Sequence, residues 1–167
     1  MKLKDITLIA VTACCLLQVG AQLFAVSIVA STISKAPPRS LFILQGEYGY
    51  NSSSFWEIVP TLTFVLLIIA LITNWKTQRK KLIVYALVLF IIAGFVSGFF
   101  VEPLFADIIK IGYSDRVDTT LQAQARSWYI FDWMLWSLSF VPGLILLVAL
   151  SKPIKILTDK TIKDSNS

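Results

Sequence analysis

Four ionisable residues, Glu57, Glu102, Arg126 and Asp132, and two amides, Gln18 and Gln22, lie in or at the ends of long apolar runs. Ionisable groups inside a bilayer are costly and by default mark function. Asp132 has Trp128 and Trp136 one helical turn to either side, so an acid is framed by indoles on one face. Such a setting suits a proton donor or acceptor. Arg126 lies six residues before Asp132, about 9 Å away along a helix. It is a candidate ion-pair partner for Glu102 or Glu57. Gln18 and Gln22 share a face at i, i+4, with Gln22 near mid-span. The expected catalytic set is therefore Asp132, Glu102 and Arg126. The expected substrate-binding set is Gln22, Glu57, Trp128, Tyr129 and Trp136.

Other chemistries lack their residues. The chain has no histidine, and its only cysteines are the neighbours Cys14 and Cys15. Adjacent residues on a helix point about 100° apart, so neither a disulfide nor a two-thiolate metal site is expected there. No metal site and no cofactor are expected. No P-loop, dinucleotide fingerprint, nucleophile elbow or HExxH appears.

The elements that position these groups can be read from composition. Of 167 residues, 56% are apolar, and mean hydropathy is +0.75. Four apolar runs, at about 6–33, 55–75, 82–105 and 127–150, each meet the roughly 20-residue requirement of a membrane helix. Lipid offers backbone groups no partner, so these spans must be helical. The expected fold is all-α, an integral membrane four-helix bundle over residues 1–151. A tail over 152–167 is expected to be cytoplasmic and partly disordered. The first apolar run outlasts a signal-peptide core of about 7–15 residues, so a retained first helix is expected.

The net charge of +5 reflects Lys and Arg flanking the runs, which points to the membrane surface and away from nucleic acid. Ten of the 15 cations fall at the termini and in the loop after span 2, and five in the other two loops. The positive-inside rule then places both termini in the cytoplasm, in a cell inner membrane. The two outward loops are long, and loops of that length usually have a task; covering the outer mouth of the bundle is one. A short helix is expected around Thr119–Arg126, and Glu102-Pro103 is expected to end span 3. Gly94 and Gly98 form a small-xxx-small pair suited to close packing within the bundle.

The pattern of motifs resembles a known family. A first helix with a small-residue face leads to Lys35-Ala36-Pro37-Pro38. Phe55-Trp56 opens span 2, Glu102-Pro103-Leu104 closes span 3, and Arg126-Ser127-Trp128 precedes Asp132-Trp133 in span 4. This resembles the anthrone-oxygenase-like four-helix membrane proteins, whose bacterial members largely form a domain of unknown function. The resemblance covers about residues 6–150. It implies metal-free oxidation of a lipophilic aromatic or quinone-like compound by molecular oxygen. Asp132 or Glu102 would be the base, Arg126 would stabilise an enolate, and aromatic residues would stack on a flat substrate. Two positions depart from the family pattern: Phe105 stands where many members have Asn, and Leu135 where an Arg is common. The other class of function is a non-catalytic membrane protein that binds lipid or serves as an accessory subunit. An enclosed cavity of about 300 Å³ or more lined by Glu102, Arg126, Asp132 and the tryptophans favours the first class; a solid core with the groups mutually paired favours the second.

Overall fold

The computed structural model describes residues 3–153. The expected tail lies almost wholly outside them. Four helices are long and apolar enough to cross a membrane: α1 Leu3–Lys35, α2 Ser53–Thr73, α3 Lys80–Ile109 and α4 Thr119–Ser151. Each packs against its neighbours in sequence, and α4 closes the ring against α1. The protein is an all-α, multi-pass membrane bundle with up-down-up-down connectivity. One end carries the N-terminal helix start, the short α2–α3 turn and the end of α4. The other carries the two longer loops.

The helices overrun the sequence-based spans at the loop end. Thr119–Arg126 is the first two turns of α4 and not a separate helix. Leu121-Gln122-Ala123-Gln124-Ala125-Arg126 contains no breaker, so nothing interrupts the helix. Asp118 caps α4, its carboxylate accepting from Thr120 N at 2.8 Å and Leu121 N at 3.1 Å. Glu102-Pro103 does not end α3 either. Five residues, Ser97–Val101, form a π turn just before it, and the helix then resumes to Ile109. A second π turn, Ala25–Ala30, interrupts α1.

The termini end is tied by specific bonds. Arg79, only 5% exposed, donates Nη1 to Asp5 Oδ1 at 2.7 Å. It also donates Nε and Nη2 to the Lys152 carbonyl at 2.8 and 2.6 Å. The Thr7 and Thr73 hydroxyls lie 3.0 Å apart. Asn74 Nδ2 donates to Lys4 O at 3.3 Å and Ala70 O at 2.9 Å. Bonds of this kind matter here because lipid supplies no hydrophobic drive between helices. Close packing adds to them at Gly143, where a Cβ would come within 3.0 Å of the Leu16 side chain. Gly94 and Gly98 do not play that part: a Cβ at either meets nothing within 4 Å.

At the loop end, a 3-10 helix over Arg39–Leu44 folds back across the bundle. Its Leu41 is buried among Ile33, Ile108 and Leu121, and Ser40 Oγ donates to Ile33 O at 2.6 Å. The two loops are joined by a bridge between Pro38 and Val117 and by Asp118 N donating to Pro37 O at 3.0 Å. The first loop is thus a fixed cap.

Candidate functional site: a capped cavity at the loop end

Beneath the cap lies a cavity of about 470 Å³. All four helices contribute to it: α1 through Gln22, Ala25, Val29 and Ala30; α2 through Ser53 and Trp56; α3 through Ser97, Val101, Glu102 and Phe105; α4 through Trp128, Asp132 and Leu135. Leu44, Tyr50 and Asn51 close it from the loop side.

Both π turns lie in its walls. Ala25, Val29 and Ala30 come from the first, Ser97 and Val101 from the second. A π turn carries an extra residue per turn, which widens the helix and re-aims the side chain that comes next. In α3 that side chain is Glu102. Its N–H bonds to Ser97 O, five residues back, as a π turn requires.

The cavity brings together four of the eight residues singled out from sequence: Gln22, Glu102, Trp128 and Asp132. Gln22 is buried and neighbours the half-buried Asp132. The Trp128 ring, 6% exposed, stacks on Phe105 with centroids 4.8 Å apart and planes 20° from parallel. Its Nε1 is buried with no acceptor among the described residues. The lining is otherwise largely apolar.

The other four lie elsewhere. Arg126 is exposed and lines a separate groove with Tyr129. Six residues turn a helix through about 600°, so Arg126 and Asp132 cannot share a face. Arg126 pairs with neither Glu102 nor Glu57: among the described residues the ion pairs are Arg79–Asp5 and Lys110–Asp107. Glu57 is exposed on α2, turned about 100° from Trp56, which does face the cavity. Trp136 is one turn deeper than Asp132, where the bundle has closed. It donates Nε1 to Val19 O at 3.2 Å and stacks on Phe140 at 5.5 Å.

Sequence reasoning missed Tyr50, Trp56, Ser97 and Phe105 as lining residues. Ser97 carried a signal, a hydroxyl within an apolar run. The aromatic residues did not, since rings near span ends more often form an interfacial belt.

The fold and the cavity define a class: a four-helix, multi-pass membrane protein with a capped chamber holding two carboxyl groups and a flat aromatic wall. No family model, curated protein or solved structure matches the chain. The chamber's own residues set what it can do. It can take a small flat lipophilic molecule, offer it an amide at Gln22, and exchange a proton with it through Asp132 or Glu102.

Proposed function

We propose that the chain is a membrane enzyme that oxidises a small lipophilic aromatic compound of anthrone type in the capped cavity, using molecular oxygen. The observation that carries this reading is the placement of Asp132 and Glu102 in one largely apolar cavity beside the Trp128–Phe105 stack. The motif resemblance to anthrone-oxygenase-like proteins supports it. Phe105 and Leu135, where the chain departs from that pattern, both line the cavity and make it more lipophilic.

Asp132 would take a proton from the activated CH₂ of the substrate, leaving a carbanion delocalised as an enolate. With Arg126 outside the chamber, the enolate oxygen would rely on neutral polar groups of the lining, among them Ser97, Tyr50 and the Gln22 amide, which also bonds Asp132. The carbanion adds to O₂, and the resulting hydroperoxide loses water with Glu102 as proton donor. The balance is CH₂ + O₂ → C=O + H₂O: carbon loses four electrons and oxygen gains them.

The test is oxygen uptake by the purified protein in nanodiscs supplied with an anthrone. Asp132→Asn is expected to lower kcat by about 100-fold or more, with ligand affinity little changed. Uptake by the wild type no faster than by empty nanodiscs sinks the enzymatic reading. A second reading, binding of a lipophilic molecule without turnover, is favoured by the lack of a cation among the described residues that line the chamber. Saturable ligand binding without oxygen uptake would establish it.

The charge bias supports an inner-membrane orientation with both termini in the cytoplasm and the capped cavity toward the outer face. Alkaline phosphatase fused after residue 112 is expected to be active, and after residue 153 inactive; the reverse pattern would invert the topology.

A further inference from the structure

A second concavity, of about 600 Å³, lies on the outside of the bundle at the loop end, between the last turns of α1 and the first turns of α4. Its charged residues are Lys35 and Arg126, and no acid lines it. Neither side chain has an ion-pair partner among the described residues. Around them stand the hydroxyls of Ser31 and Tyr129, and those of Ser34 and Ser127, which donate to the Ser31 and Ala123 carbonyls of their own helices and keep lone pairs only. The nearby Asp118 carboxylate is committed to the cap of α4. The walls are tied at this point, because Gln122 Nε2 donates to the Lys35 carbonyl. Two unneutralised cations beside the Ser31 and Tyr129 hydroxyls suit a phosphate, and a guanidinium can bond it through two donors.

The groove continues as an apolar stripe. Arg126, Ile130 and Met134 succeed one another at i, i+4 and i+8 on one face of α4. Ile130 is 50% and Met134 60% exposed. Each step carries the stripe about 6 Å further along α4, toward the middle of the span. A free phosphate has no use for that stripe; an acyl chain does.

We propose that the groove is a binding site for an anionic phospholipid, its phosphate between Lys35 and Arg126 and an acyl chain along Ile130 and Met134. The site is separate from the capped cavity and stands whatever that cavity does.

The test uses the full-length protein in nanodiscs of phosphatidylcholine with a minor fraction of phosphatidylglycerol, retained lipid being identified by native mass spectrometry. A basic residue near an anionic lipid surface contributes about fivefold, so the pair gives phosphatidylglycerol an advantage of about 25-fold. Lys35→Gln with Arg126→Gln is expected to abolish the preference, and Arg126→Lys to retain part of it. Both positions are exposed, and helical circular dichroism checks that the fold is kept. Arg39→Gln with Arg116→Gln, two cations of the same end outside the groove, is expected to leave the preference intact. Excess inorganic phosphate is expected not to displace the lipid. Displacement by phosphate would reduce the site to a free-anion groove, and equal loss in the control variant would reduce it to general surface charge. Either result, or no preference in the wild type, overturns the proposal.

Discussion

Arg79 and Arg126 show how differently one side-chain type can be accommodated in the same bundle. Arg79 is buried and bonded to Asp5 and to the carbonyl of Lys152 just beyond α4. Removing it strands the Asp5 carboxylate and unpairs a helix-terminal carbonyl. Loss of one partner of a buried ion pair costs about 3–5 kcal/mol, and the part-exposed Asp5 places this case near the lower figure. Arg79→Ala is therefore expected to destabilise the protein by about 3 kcal/mol in mixed-micelle denaturation. Replacing both partners with apolar residues, Arg79→Met with Asp5→Leu, should cost less, since no lone charge remains. A single variant within about 0.5 kcal/mol of wild type would remove Arg79 from the account of stability. In the sequence Arg79 read only as one of several flanking cations, because its partner stands 74 positions away and no spacing connects them. Asp132 and Gln22 were legible for the opposite reason. Deep in hydrocarbon a polar group has only the bundle interior to turn to. Arg126 and Glu57 lie near span ends, where a long side chain reaches water from any face. Polarity alone could not orient them, and neither faces the cavity.

Four runs of sufficient length and hydropathy made the four helices legible, because a bilayer leaves a long apolar segment few alternatives. Their ends and interruptions were less so. Ala25–Ala30 and Ser97–Val101 look like ordinary apolar helix by composition, yet both are π turns in the cavity wall. The one sequence cue is Pro103. Its ring would meet the carbonyl four residues back, at Phe99, and it has no N–H to donate. A π turn immediately before it lets the helix continue past the ring, where the sequence alone predicts an end. The wider turn also aims Glu102 into the cavity. Deleting Phe99, whose own side chain is 70% exposed, should convert the π turn to α, at the cost of a kink at Pro103 and of some packing at the buried Val101 and Ile108. Residues on either side of the deletion would then rotate relative to one another by about 100°. The expected outcome is retained helicity with at least a tenfold loss of affinity for an anthrone, about 1.4 kcal/mol. Quenching of tryptophan fluorescence reads it directly, since Trp56 and Trp128 line the cavity. Unchanged affinity would mean that the π turn has no part in shaping the site.

Across the whole molecule, the two ends of the bundle are built on different terms. The termini end packs Leu8, Val11, Leu67, Ile83 and Leu146 into one fully buried cluster. Above it sits the hydrogen-bonded clasp of Arg79, Asn74 and the Thr7–Thr73 pair. The loop end surrounds a cavity of about 470 Å³ and interrupts two of its four helices with π turns. Its cap is held by one short bridge, a few backbone bonds, the Ser40–Ile33 bond and the buried Leu41. A void removes packing partners from its walls, and stability within a fold is distributed unevenly, with ligand-binding regions at the low end. The molecule should therefore open from the loop end while the termini end stays closed. In hydrogen–deuterium exchange on the protein in nanodiscs, amides of 25–30 and 97–101 are expected to exchange faster than those of 8–15 and 63–70. All four segments belong to membrane helices, so differences in burial by lipid do not set the order. A lipophilic ligand that fills the cavity should slow exchange in the two π segments and leave the termini end unchanged, because binding stabilises only the states that bind. Equal protection at the two ends, or a ligand effect spread evenly over all four helices, would mean that the bundle opens as a single unit and that the cavity is not its soft end.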